Sequence, residues 1–293
     1  MSLLAQLLIN GIANGAVYAL MAVGFAIVFN ATHVFHLAHG AVLTFAAYCF
    51  YLLVAVAGIG VAIAVPITVL ISAGFGCLIE LGVYAPLRAR GAGSSALMIA
   101  SLGVLVLCQN VYAIVFSTDV LTVRSGGLAI FRFGELTVTS LHILDGVVAI
   151  CVFAALQLFL AMTQQGRAIR ALADNPQLAP VVGIETRRTY FLVMAIGSIL
   201  ASVAAVLLTW DMGVQPQMGF LIVFYAAVAV AIGGHGYLPG ALVGAFVFGA
   251  LQQIATWQFD SRWQNGIAFA LVLVFLALRP QGLFGARLAV RKA

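Results

Sequence analysis

Residues 95–117, SALMIASLGVLVLCQNVYAIVFS, form a run of 23 residues without a charged side chain. About 20 mainly apolar residues suffice for an α-helix to cross the hydrocarbon core of a membrane. Similar runs recur at residues 3–29, 38–58, 60–82, 141–163, 189–212, 219–234, 237–258 and 263–280. Because these runs are continuous rather than alternating, they favour helices over the strands of a membrane barrel. The sequence therefore predicts an all-α, polytopic transmembrane helical bundle, with residues 1–293 as one domain.

The composition points to the same class of protein. Of the 293 residues, 64% are hydrophobic and 7% are charged, and the mean hydropathy is +1.17. A soluble domain could not cover so much apolar surface. The net charge of +5 comes from arginines scattered at the ends of the runs, so no nucleic-acid partner is expected. The cysteines are isolated within apolar runs and are expected to be buried, with neither disulfides nor a metal site: Cys49, Cys77, Cys108 and Cys151.

The number of spans is predicted to be eight or nine. The first run has no basic segment or cleavage site before it, so it is expected to be a span and not a removable signal. The break GGHGYLPG, residues 233–240, is either a tight turn or an interrupted, partly re-entrant element.

Charge asymmetry predicts the orientation. With nine spans, one side receives ten basic residues: Arg88, Arg90, Arg167, Arg170, Arg187, Arg188, Arg279, Arg287, Arg291 and Lys292. The other side receives three: Arg124, Arg132 and Arg262. Because cytoplasmic loops carry the excess of Lys and Arg, the first group is expected in the cytoplasm, with the N-terminus outside and the C-terminus inside.

One charged segment interrupts the apolar chain. Residues 164–189, QQGRAIRALADNPQLAPVVGIETRRT, hold four arginines and two acids and are predicted to be cytoplasmic. GRAIRALADN, residues 166–175, predicts a short amphipathic helix with Ala168, Ala171 and Leu172 on one face. Pro176 is expected to end this helix, and Gly183 to reverse the chain before the next span. The segment either presents itself to a soluble subunit or anchors its arginines among membrane lipid headgroups.

The second long connection, residues 118–140, is predicted to be external. DVLTVRSGGLAIFRFGELTVTS contains β-branched runs separated by Gly126-Gly127 and Gly134, which favours a short hairpin. The loop either docks an external partner or is a solvated connector.

Several sequence motifs of ATP-binding proteins and enzymes are absent from the chain. The only lysine is Lys292, so neither a phosphate-binding loop of the GxxxxGK[ST] type nor a buried Schiff-base lysine can exist. HExxH and GxSxG motifs and paired intramembrane aspartates are absent too, which argues against an enzyme. If ATP drives this protein, ATP and magnesium must be bound by another polypeptide.

Polar side chains inside the runs form a second group of candidates. Polar groups at membrane depth should face the interior of the bundle, where they either bond between helices or line a substrate path. The candidates are Asn10, Asn14 and Tyr18, which recur every four residues, together with Gln109 and Asn110. Glu80 is expected to pair with Arg88. Glycines four residues apart, Gly11/Gly15 and Gly240/Gly244, predict closely packed helices.

Three histidines, His33, His36 and His39, are spaced too loosely for a metal site and have no nearby carboxylate. They are interpreted as interfacial or capping residues, with His39 as a further candidate for the path.

Five segments carry a resemblance to a known family. GRAIRALADNPQLAPVVGI (166–184) resembles the cytoplasmic loop of the permeases of branched-chain amino-acid-type ABC importers. NGIANGAVYALMAVGFAIVFN (10–30), HVFHLAHGAVLTFAAY (33–48), AVAVAIGGHGYLPGALVGAFVFG (227–249) and LRPQGLFG (278–285) are similar to further motifs of that family, in the same order. The match covers nearly the whole chain.

The resemblance implies a non-catalytic permease in a bacterial inner membrane. Its partners would be ATPase subunits, a second permease (more often a related chain than a copy) and an external or periplasmic substrate-binding protein. It also implies an ATPase-coupling role for one set of residues: Gly166, Arg167, Arg170, Ala171, Leu172, Asp174, Asn175, Gly183 and Ile184. The expected substrate is a branched-chain amino acid, with urea, amides and small aromatic acids as other substrates of such relatives. An ion-coupled secondary transporter is the alternative, although it would need ionisable groups at mid-membrane.

Overall fold

The computed structural model describes residues 2–123, 129–133, 136–234, 236–258 and 261–285. The helices are α1 (Ser2–Thr32), α2 (Ala38–Tyr51), α3 (Val61–Ile79), α4 (Ala85–Ala89), α5 (Ser94–Phe116), α6 (Ser140–Met162), α7 (Gln164–Asp174), α8 (Thr186–Met212), α9 (Met218–Gly233), α10 (Leu238–Gln258) and α11 (Gln264–Leu278). A π-helical turn, Leu52–Val56, extends α2, and a second, Glu80–Tyr84, joins α3 to α4. The predicted all-α membrane bundle is confirmed.

All nine predicted runs are helical, but they differ in length. Seven segments in the described part of the chain are long and apolar enough to cross a membrane: Leu3–Thr32, Ala38–Val56, Val61–Ala89, Ser94–Phe116, Ser140–Met162, Thr186–Met212 and Leu238–Ala255. Met218–Gly233 and Asn265–Leu278 are shorter apolar helices. The 16 residues of α9 rise about 24 Å, less than the roughly 30 Å of a hydrocarbon core.

The chain is divided into two compact units. Unit 1 comprises Met1–Ala26, Gly126–Phe153 and Phe224–Ala293, and unit 2 comprises Ile27–Ser125 and Ala154–Val223. In unit 1, α1 packs closely against α10. A Cβ atom at Gly11 would lie 2.8 Å from Ala250 Cα, and one at Gly15 would lie 2.9 Å from Phe246 Cα. The close packing predicted for this glycine pair is confirmed.

The predicted hairpin is also present in unit 1. Strand β1 (Ile130–Phe133) pairs antiparallel with β2 (Leu136–Thr139). The Gln6 side chain of α1 binds β2, since Thr137 N donates to Gln6 Oε1 at 2.8 Å and Gln6 Nε2 donates to Thr137 O at 2.9 Å. Arg124, Gly126, Gly127 and Gly134 of the predicted external loop lie outside the described residues.

A tight turn joins α9 to α10. Gly234 and Gly236 have positive φ angles of 99° and 85°, and the backbones of the two helices then approach at Gly233 and Gly240. This resolves the GGHGYLPG segment as a turn, although its His235 lies outside the described residues. The chain after α11 closes over the turn, because Leu283 N donates to Ile232 O at 2.8 Å. Two of the family-like motifs therefore meet here. Further along, Arg287, Arg291 and Lys292 lie outside the described residues.

In unit 2, α8 packs against both α2 and α3. Gly76 of α3 lies against Ser198 of α8, where there is no room for a side chain. Gly40 of α2 lies in the same way against the backbone of Gly219, whose N–H donates to Thr44 Oγ1 at 3.1 Å. The glycine of the Ala-His-Gly segment therefore permits close packing of backbones.

The described arginines of unit 2 all lie at one of its ends. Two contacts mark this end of the unit. Ser94 Oγ donates to His33 O at 2.6 Å, and the Arg88 guanidinium lies 4.4 Å from the ring centroid of Tyr190. The arginines there are Arg88, Arg90, Arg167, Arg170, Arg187 and Arg188. At the opposite end, where Leu121 bridges to Val214, lie Asp119 and Asp211. That the arginine-rich end faces the cytoplasm stays a prediction, as does the single-domain organisation.

Candidate functional site

The charged segment of residues 164–189 begins with α7, which is held firmly to the end of α6. Thr163 caps α7, because its Oγ1 accepts a hydrogen bond from Gly166 N at 2.9 Å. A Cβ atom at Gly166 would lie 2.5 Å from Leu160 Cα. Only glycine therefore allows α7 to fold back this closely on α6.

Helix α7 is amphipathic, as predicted, but its buried face differs from the prediction. Gly166, Ile169 and Leu172 are buried, and Leu172 is fully enclosed. Ala168 and Ala171, which were predicted to form the face with Leu172, are only half-buried. The buried stripe follows the i, i+3, i+6 positions because the close contact at Gly166 sets the rotation of the helix. Arg167, Arg170 and Asp174 are exposed.

Asn175 ends α7, as the following proline predicts. Its backbone is extended, with φ −152° and ψ 97°. Its Oδ1 accepts hydrogen bonds from Gln177 N and Leu178 N, each at 3.0 Å. The chain then reverses at Gly183, whose φ of +84° confirms the predicted turn, and Ile184 N donates to Ala179 O at 3.1 Å.

The turn of residues 177–183, which we call the docking turn, exposes apolar side chains. Leu178 is 59% exposed, Val181 79% and Val182 73%, whereas Ala179 is buried and anchors the turn. Exposed apolar side chains grouped on an ordered loop are typical of a surface that contacts another protein. QLAPVVGI belongs to the family-like motif, but the exposure of Leu178, Val181 and Val182 was not predicted, although apolar residues outside a span were a usable signal.

The polar residues predicted on α1 lie near a hydrogen-bonded network in unit 1. Tyr18 OH donates to Gln252 Oε1 at 3.0 Å, Gln252 Nε2 donates to Asn265 Oδ1 at 2.9 Å, and Tyr225 OH donates to the same oxygen at 2.7 Å. These four side chains are the polar network. Tyr18 belongs to it, while Asn10 accepts a bond from Gln6 at 2.9 Å and Asn14 is half-buried.

Sequence reasoning missed Gln252, Tyr225 and Asn265. Gln252 is 3% exposed within an apolar run, and a buried amide at membrane depth must find partners. The glutamine pair at residues 252–253, inside an apolar run, was the available signal. Its partners come from α1 and α11, which are distant in the sequence.

The remaining path candidates lie in unit 2 and are not gathered in one place. Gln109 is half-buried, and Asn110 is exposed with its Nδ2 donating to Val106 O of its own helix at 2.8 Å. His39 is fully buried beside His36, with ring centroids 5.5 Å apart. Among the described residues, no group of three or more His, Cys, Asp or Glu could hold a metal ion.

His36 lies in the connection between α1 and α2. Its Nδ1 lies 2.7 Å from Tyr84 OH, and a neutral imidazole can make this hydrogen bond as donor or as acceptor, according to its tautomer. Burial lowers the pKa of the His36 imidazole well below its ordinary value, and the neighbouring His39 lowers the pKa further. Of the three predicted interfacial histidines, only His33 is exposed.

Long apolar helices, a folded polar loop between two of them and an ordered apolar turn on that loop define a class of protein. They describe a polytopic membrane protein with a folded, partly apolar loop outside its long apolar helices. The chain belongs to the family described as "Branched-chain amino acid transport system / permease component", whose model matches residues 7–276. It is a multi-pass inner-membrane permease subunit.

Relatives with full-length matches support this assignment. The high-affinity branched-chain amino acid transport system permease protein BraD of Pseudomonas aeruginosa is 31% identical over 96% of this chain and 95% of its own length. The high-affinity branched-chain amino acid transport system permease protein LivH of Salmonella typhimurium is 28% identical over 96% of this chain and 95% of its own length. The probable branched-chain amino acid transport permease protein LivH of Methanocaldococcus jannaschii is 26% identical over 91% and 88%.

Proposed function

We propose that this chain forms the translocation pathway of an ATP-binding-cassette importer for a branched-chain amino acid. Family membership and the names of full-length relatives support the transport role and this substrate class. Since the sequence has no GxxxxGK[ST] loop, we assign ATP and magnesium to a separate ATPase subunit.

The observation that carries the energy-coupling part of the proposal is the exposure of the docking turn. Val181 and Val182 are more than 70% exposed at the arginine-rich end of unit 2. A water-facing surface of this kind gains stability when a partner buries it. We assign it to the ATPase, with α7 and its exposed Arg167, Arg170 and Asp174 as the flanking polar rim.

The packing of α7 supports a mechanical role. Because Gly166 contacts the α6 backbone and Leu172 is fully enclosed, α7 cannot move without its surroundings. A push on the docking turn would therefore reach α6 and α8, the two helices that the segment connects. Alternating access would follow from a bundle with two packed arrangements.

We assign the translocation path to the intramembrane polar side chains: Asn10, Asn14, Tyr18, His39, Gln109 and Asn110. Asn110 supports this most strongly, because an exposed amide at membrane depth is costly against lipid. Its face of α5 is therefore expected to meet a second permease or the path itself. The β1–β2 hairpin is the proposed contact for an external substrate-binding protein.

Replacing Val182 with aspartate tests the coupling proposal. The new charge would have to be buried in the ATPase contact, so ATPase should no longer co-purify with Val182→Asp from native membranes. Val120→Asp is the matched control, because Val120 is 54% exposed at the opposite end of unit 2. Equal ATPase recovery with the wild type and both variants would contradict the assignment of the docking turn.

A further inference from the structure

We propose that a groove at the arginine-rich end of unit 2 binds the headgroup of an anionic phospholipid. The groove encloses about 560 Å³ between the α3–α4 segment and the first turn of α8. The residues that line it include Arg88, Arg187 and Tyr190. It shares no residue with the docking turn, so this proposal goes beyond the transport function and stands apart from it.

Arg88 is held in a fixed orientation at the wall of the groove. It pairs with the carboxylate of Glu80, which is 2% exposed, and stacks 4.4 Å from the ring centroid of Tyr190. Among the described residues, its Nη1 and the Oε2 atom of Glu80 have no hydrogen-bond partner, but both atoms are buried. The Arg88–Glu80 pair therefore shapes the wall of the groove, and the exposed Arg187 supplies the donors for the oxygens of a phosphate.

Arg187 gives the groove its net charge. Since Arg88 and Glu80 neutralise each other, the exposed Arg187 leaves one positive charge on the lining. Basic pockets between membrane helices at the cytoplasmic side attract anionic lipid headgroups. Charge complementarity therefore selects an anion over a zwitterionic headgroup.

An apolar stripe on α3 favours an anion that carries acyl chains. Leu70 is 72% exposed and Leu78 65%, and between them Gly74 has open space around it. Leu81 is 45% exposed and lies both on this stripe and in the wall of the groove. The helical spacing of these positions places them on one face. The headgroup of a phospholipid would occupy the groove while its acyl chains lie along the stripe, whereas free phosphate would occupy only the groove.

The π-helical turn Glu80–Tyr84 lies where the stripe meets the groove. Such turns are rare and frequently occur at functional sites. It supplies both the buried carboxylate that orients Arg88 and the side chain of Leu81.

The test measures which lipid remains bound to the full chain, purified with its native partners. The complex is equilibrated with vesicles of equal parts phosphatidylglycerol and phosphatidylcholine with identical acyl chains, then extracted in mild detergent. Bound lipids are quantified by mass spectrometry. The wild type should enrich phosphatidylglycerol, and Arg187→Gln should lose about fivefold of that enrichment, as expected for one interfacial charge. Arg188→Gln is the matched control, an adjacent exposed arginine outside the groove, and should keep the enrichment.

Three outcomes would overturn the proposal. The first is equal retention of the two lipids by the wild type. The second is the same loss in both arginine variants, which would indicate a diffuse surface charge. The third is displacement of phosphatidylglycerol by inorganic phosphate alone, which would assign the groove to a soluble anion. ATPase recovery from the same samples reports separately on the docking turn, so failure of one proposal is distinguishable from failure of the other.

Discussion

The docking turn of unit 2 and the polar network of unit 1 use their side chains in opposite ways. In the turn, Leu178, Val181 and Val182 leave apolar surface exposed on an ordered loop. In the network, Tyr18 and Gln252 hide polar groups among apolar neighbours and satisfy them by hydrogen bonds of 3.0 Å or less. The network is complete within unit 1, whereas the turn gains stability only when another surface covers it. The network therefore stabilises the fold of unit 1, whereas the turn is the surface that we propose a partner covers.

The largest effect is expected from a comparison of Leu172 and Leu178, which lie six residues apart in the charged segment. Leu172 is buried in the fold, whereas Leu178 is exposed on the docking turn. Leu172→Ala should lower the free energy of unfolding by about 2–5 kcal/mol, since Leu172 is fully enclosed. Leu178→Ala should leave stability nearly unchanged and weaken ATPase recovery instead, because Leu178 is 59% exposed. Thermal unfolding in detergent and ATPase co-purification measure the two effects. If Leu178→Ala destabilised the chain as much as Leu172→Ala, the docking turn would be a part of the packed fold and not a surface left for a partner.

Removing the central amide of the polar network should have a smaller effect on stability. Gln252→Leu leaves Tyr18 OH without its acceptor and Asn265 Oδ1 without one donor, which costs about 1–3 kcal/mol. Tyr18→Phe removes only one hydroxyl and should cost less. Both variants should keep normal ATPase recovery after solubilisation. Loss of ATPase from folded Gln252→Leu protein would show that the network does more than stabilise unit 1.

The buried contact between His36 and Tyr84 should make the stability of the chain depend on pH. Burial lowers the pKa of His36, so the folded chain keeps this imidazole neutral, while the unfolded chain binds a proton below about pH 6.5. Stability is therefore complete above about pH 6.5 and falls as the pH drops towards the folded pKa. The melting temperature should fall less between neutral and mildly acidic pH in His36→Gln than in the wild type. An equal fall in both would remove His36 as the cause.

Local patterns predicted the parts of the structure that depend on neighbouring residues. The apolar runs, the end of α7 before Pro176, the reversal at Gly183 and the β1–β2 hairpin all follow from such patterns. The face of α7 did not, because the contact of Gly166 with α6 sets its rotation and buries Ile169 in place of Ala168. Gln252 and Asn265 were missed because their partners are distant in the chain. Residue patterns cannot show such tertiary contacts.

The charged segment of residues 164–189 shows the same division. Its composition and its family-like motif predict a coupling segment that runs from Gly166 to Ile184. The structure adds which side chains of this segment are open, and the most exposed apolar ones lie after α7, where no helical period indicates them. That these residues contact an ATPase stays a prediction.

Uptake by reconstituted vesicles tests the central claim most directly. The chain, purified with its partners, is placed in proteoliposomes with a labelled branched-chain amino acid and its external binding protein outside. We predict uptake only when ATP reaches the ATPase, and loss of that uptake in Val182→Asp. Uptake driven by an ion gradient without ATP would contradict the account and establish a secondary transporter instead.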